Sequence, residues 1–144
     1  MVTEAAKNPR LVELRLYWTG KRGDREMPAR QDIDPADFKS LLPSVLLVDI
    51  SYSPLRFRYR VFGTALVELY RREMTGKFVD AITSTGLRAV ASAAYEEIVS
   101  SRAPVFNSLE FVVDDRRLRY DRVLMPLSND GKTVSMVLGA IVRR

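Results

Sequence analysis

Hydroxyls, carboxylates, lysines, arginines and tyrosines must supply whatever chemistry this chain does, because it contains no cysteine and no histidine. Without a thiol there is no thiolate nucleophile, disulfide or Cys/His zinc site, and a thiol-linked flavin is excluded. Without an imidazole there is no histidine-ligated haem and no ordinary general base near neutral pH. Ser44, Ser108 and Ser135 therefore have no activating partner, and neither Ser-x-x-Lys nor Gly-x-Ser-x-Gly spacing occurs. Asp32, Asp34 and Asp37 flank a proline but lack the Gly and distal Glu of a calcium loop, so no metal is expected. Glu96 and Glu97 are adjacent on a helical segment, where Glu97 should face solvent.

Arginine is the plentiful polar residue. Lys+Arg total 23 against 18 Asp+Glu, a net charge of +5. Arg56, Arg58 and Arg60 alternate with apolar residues, and Arg116, Arg117, Arg119 and Arg122 follow later. Such a stripe could attract nucleic acid, but most aromatics of the 56–62 segment point the other way. Glu110, Asp114, Asp115 and Asp121 also lie close in sequence to neutralise it. A salt-bridged surface with no specific nucleic-acid partner is the expectation.

Elements that position these residues follow from periodicity. Asn8-Pro9 before RLVELRLYW reads as a capped helix ending before Gly20–Gly23. Segment 27–35 is extended, and Asp34 caps a short helix from Pro35 to Leu42 that Pro43 stops. Val45–Ile50 is an almost unbroken apolar strand, and 56–62 is an alternating one with Phe57, Tyr59 and Val61 inward. Short helices occupy 63–78. A longer one starts at Ser84 or Thr85, with Leu87, Val90, Ala91, Ala94, Tyr95 and Ile98 on one stripe, and stops by Ala103. Strands follow at 105–113, 118–127 and 133–142, joined by polar turns at 114–117 and 128–132. This order predicts an α+β fold with a five-stranded antiparallel sheet, central helices on one face and an N-terminal helix. One domain over 1–144 is expected, with the helix and loop at 8–43 and the core at 44–142.

Several stretches sharpen the reading: Leu16-Tyr17-Trp18 before Arg22-Gly23, Met27-Pro28-Ala29-Arg30, Asp32-Ile33-Asp34-Pro35 and Leu41-Leu42-Pro43. Phe57-Arg58-Tyr59-Arg60-Val61-Phe62-Gly63-Thr64-Ala65, Thr75-Gly76-Lys77 and Met125-Pro126-Leu127-Ser128 add to them. Together they resemble a PAS-domain-like family of short proteobacterial proteins over about residues 11 to 142. The resemblance implies a stand-alone sensory module used for ligand sensing, dimerisation or docking to a signalling protein. It brings no catalytic residues with it. One departure is Arg71, where the family pattern leads one to expect glycine.

The site expected is the cleft under the central helix, lined by Tyr59, Val61, Tyr95, Ile98, Asn107, Leu109, Phe111, Leu124 and Met136. Its apolar walls and few polar anchors suit an unidentified organic ligand held by shape. On the N-terminal helix, Leu11, Leu14, Tyr17 and Trp18 form one stripe, while Val12 and Leu16 form a second that should meet another protomer in a homodimer. No apolar run approaches the ~20 residues of a membrane helix, and Met1–Lys7 has no leader-like apolar core, so no membrane partner and a cytoplasmic address are expected. A purely structural dimerisation domain without ligand is the alternative. A small cleft enzyme or nucleic-acid binder is least favoured.

Overall fold

The computed structural model describes residues 4–144, apart from the side chain of Val113. Met1–Thr3, part of the stretch read as having no leader, lie outside the described residues. Helix α1 (Pro9–Arg22) begins as expected: Asn8 is extended, and its side chain accepts from the Arg10 N–H at 3.1 Å. It runs through Gly20 and stops at Gly23, whose φ of 60° lies in the left-handed region that glycine adopts freely.

Strands β1 (Val45–Ser51) and β2 (Arg56–Phe62) pair antiparallel. Helices α2 (Thr64–Tyr70) and α3 (Thr85–Ser101) follow, the latter capped by the Ser84 hydroxyl. Strands β3 (Val105–Val113), β4 (Arg116–Leu127) and β5 (Met136–Arg143) complete a five-stranded antiparallel sheet in the order β2-β1-β5-β4-β3. The expected fold class is the one found. The expected extended loop holds a 3-10 turn at Arg30–Asp32, and a second 3-10 segment, Pro35–Ser44, breaks at Phe38 and carries Pro43 inside it.

Turn chemistry closes the β3–β4 hairpin more tightly than expected, while the β4–β5 connection, 128–135, is longer than the expected 128–132. Asp114 and Asp115 form the whole β3–β4 loop with φ of 52° and 61°, the positive-φ pair that matches sheet twist. In the β4–β5 connection, the Asp130 carboxylate accepts from the Lys132 and Thr133 N–H groups and from the Ser128 hydroxyl, which hold its pKa down at about 2.

The sheet is apolar on both sides, and the register assigns its faces. Leu46 opposes Phe62 and Gly139, Val48 opposes Tyr59 and Val137, and Leu124 opposes Gly139 and Val105, so these lie on one face, which α2 and α3 cover. Leu47, Leu138, Val123 and Met125 lie on the other, which α1 covers with buried Leu11, Leu14 and Trp18. The Trp18 indole N–H donates to the Pro126 carbonyl at 2.8 Å, fixing the helix to β4. Half of the expected division of α1 is thus visible, since one stripe is core and Leu16 is 65% exposed.

One expected inward residue is turned out. The β1–β2 register jumps between Leu47 and Val48, which oppose Val61 and Tyr59, so Arg60 is the extra residue of a bulge. Past the bulge the alternation reverses: Phe62 is buried and Val61 is 38% exposed on the α1 side.

Arg71 explains its own oddity. It caps α2 in the left-handed conformation, φ 58° and ψ 27°, where a Cβ is unfavourable and glycine is not. Its guanidinium meets Asp114 at 3.0 Å, but both side chains are exposed. Replacing Arg71 with glycine is therefore expected to leave stability unchanged or raise it by up to about 1 kcal/mol. Urea denaturation checks this; a loss above about 1 kcal/mol would mean the exposed ion pair outweighs backbone strain.

Candidate functional site: the interior beneath α3

The stripe of α3 brings Tyr95 and Ile98 fully inside, and the phase of β2 brings Tyr59 beneath them. The Tyr59 and Tyr95 hydroxyls meet at 2.9 Å in a buried hydrogen bond. Around them, Phe62 and Tyr70 lie edge-on to the Tyr59 ring at centroid distances of 5.0 and 6.5 Å, and Phe57 lies 5.5 Å from Tyr95. Burial raises the pKa of Tyr59, Tyr70 and Tyr95. These hydroxyls thus stay protonated and act as hydrogen-bond donors and acceptors rather than bases.

Strand β4 contributes a charge to this interior. Arg122 pairs with Asn107 and Ile141 across the sheet and shares the phase of Leu124, so it points toward the helices. It is only 4% exposed. Its Nη2 donates to the Asn107 side-chain oxygen at 2.9 Å, and its Nε is buried with no hydrogen-bond partner. Among the described residues no carboxylate lies within ion-pair distance of it. Burial pulls its pKa down, against the fields of Tyr95, Tyr70, Tyr59 and Glu97.

The nine residues expected to line the cleft divide. Tyr59 and Leu124 from the sheet, with Tyr95 and Ile98 from α3, are buried in this interior, while Asn107, Leu109 and Phe111 stand on the same face of the sheet and are half-buried. Val61 and Met136 do not. Val61 was turned over by the bulge, and Met136 opposes Asp49 and shares the phase of Leu138, on the α1 side. The residue missed is Arg122, expected on a surface stripe with Arg116, Arg117 and Arg119. The signal was present: Arg122 stands two residues before Leu124, and a strand alternates.

Several arginines of the expected stripe are paired at the surface. Arg56 meets Asp80 at 3.5 Å, Arg60 meets Asp49 at 2.9 Å, and Arg117 meets Glu110 at 2.8 Å. Arg58 donates to the Gly76 carbonyl at 3.0 Å. Of the acids expected to neutralise this stripe, Asp121 is buried and binds Asn8, Ser108 and Arg144 instead. Among the described residues no helix is long and apolar enough to cross a membrane, and no group of three or more potential metal ligands is gathered.

A sheet in the order β2-β1-β5-β4-β3, with helices between its second and third strands packed over one face, defines the class. The sequence matches the PAS domain family over residues 6–142, nearly the whole chain. The chain belongs to the PAS domain family. Among solved structures it is similar to the PAS domain from Bordetella pertussis BvgS, at 15% identity, with 78% of this chain and 88% of that one covered and a TM-score of 0.53. A light-oxygen-voltage domain studied with a flavin analogue matches at 12% identity, covering 77% and 86%, with a TM-score of 0.54. The Rhodobacter sphaeroides LOV protein matches at 13% identity, covering 77% and 68%, with a TM-score of 0.51. At these identities the likeness is one of fold. No curated protein matches the sequence.

Proposed function

We propose that the chain works as one sensory PAS domain that binds a small organic ligand between α3 and the sheet and passes the event to a second protomer or a signalling protein. The observation that carries this reading is the cluster of polar groups inside an apolar interface: three tyrosine hydroxyls, the Asn107 amide and the Arg122 guanidinium. Pockets for organic molecules are built this way, from apolar walls with few convergent polar anchors. A ligand bonded to Tyr59 or Tyr95 would compete with their mutual bond, which ties α3 to β2. Such competition is a direct way to shift the helix against the sheet.

No catalytic role is part of the reading. A thiol-linked flavin has no cysteine to attach to. Thermal-shift screening of a broad metabolite library tests the reading. At least one compound should stabilise the protein, and a library that stabilises nothing would overturn the sensory role.

The homodimer belongs to the same proposal. Leu16 is 65% exposed and Val12 half-buried on the side of α1 turned away from its core stripe. At a two-fold contact a charge at position 16 would face its own copy, so Leu16→Glu should yield a folded monomer from a dimeric parent. Sedimentation equilibrium decides it. A variant as dimeric as the parent, or a parent monomeric at high micromolar concentration, would refute this contact.

A further inference from the structure

We propose that the ligand of this interior is a small organic carboxylate with an apolar body, its carboxylate taken by Arg122 and its body lying along Leu109, Phe111 and Tyr120. The proposal rests on reading the α3 interior as a ligand site and names what that site would take.

An arginine as buried as Arg122 is costly unless its charge and donors are met. Guanidinium carries five N–H donors, and a buried arginine ordinarily finds a carboxylate. Here the protein supplies one neutral acceptor, the Asn107 oxygen at 2.9 Å, and leaves Nε without a partner. Glu97, whose field reaches Arg122, lies on the exposed side of α3 and makes no ion pair with it. Asn107 accepts from Nη2 and leaves the buried Nε–H without an acceptor, which a carboxylate oxygen reaching it would supply.

The surroundings decide the rest of the ligand. Arg122 is followed along its own face by Tyr120, which opposes Leu109, while Phe111 packs 6.3 Å from the Tyr120 ring. These three residues stand on the helix side of the sheet yet are only half-buried. The wall beside the guanidinium is therefore apolar and reachable from solvent. It suits an aromatic or branched aliphatic acid and disfavours a sugar or a nucleotide. Phosphate would satisfy the charge but not the wall.

Thermal shift on the unaltered protein tests this, with benzoate, phenylacetate and isovalerate set against benzamide, phenylacetamide and isovaleramide at matched ionic strength. At least one acid should raise Tm by about 5–10 °C at a concentration near 100 times its Kd, and its amide should give no shift. Arg122→Gln should abolish the acid's effect. If that variant does not fold, the acid–amide comparison decides alone. Amides acting as well as acids would overturn the assignment, as would a folded Arg122→Gln retaining the shift or a neutral metabolite binding where none of the acids does. That last result would leave the sensory reading standing, whereas a broad library without any binder would remove both.

Discussion

Replacing Gly63 with alanine is expected to destabilise the protein by about 3 kcal/mol or more, although its backbone is unremarkable at φ −59° and ψ 151°. The reason is space. Gly63 turns the chain from β2 into α2 directly over Pro43, and its N–H donates to the Val45 carbonyl at 2.9 Å. A Cβ there would clash with the Pro43 carbonyl oxygen and stand 2.7 Å from that of Leu42. Both are backbone atoms, so no side chain can swing aside. Relief would require separating β1 from the 3-10 segment that leads into it. Urea denaturation of Gly63→Ala checks this, and a loss below about 1 kcal/mol would mean that the corner opens readily to admit a methyl group. Gly20, which has nothing within 4 Å of a Cβ, is the control, and its alanine variant should be neutral or stabilising.

Trp18→Ala should cost about 3–5 kcal/mol, the range for truncating a fully buried aromatic. Trp18 is buried against the α1 side of the sheet and spends its indole N–H on the Pro126 carbonyl. Truncation would leave a cavity and an unpaired carbonyl together. The effect measures whether α1 is part of the core or an arm resting on it. A cost near 1 kcal/mol would favour the arm and weaken any account in which α1 carries a dimer contact rigidly joined to the sheet.

Most elements of the fold were legible because their signals are local. Asn8-Pro9 and Ser84 mark helix starts, the α3 stripe has a helical period, and the chain-reversing turns carry Asp, Asn and Gly. What failed was phase. The bulge at Arg60 adds one residue to an otherwise regular alternation and leaves no mark in composition, so Val61 was assigned to the wrong face. β5 is buried along both faces, so its apolar run has no period from which to place Met136. Arg122 failed differently. Its phase is readable from Leu124, but the expectation that a positive charge faces water hides it. Sites tend to sit where such local rules break.

The account stands or falls on where a ligand lands. With the compound that gives the largest thermal shift, a 15N NMR titration following the backbone amides and the arginine Nε–H signals tests this directly. The account predicts that Arg122 Nε–H moves most among the arginines, with amides of Tyr59, Tyr95 and Asn107 moving alongside it, while Leu16, Ile33 and Leu138 stay still. Perturbations confined to those last three, with Arg122 unmoved, would contradict it and put the binding surface on the other side of the sheet.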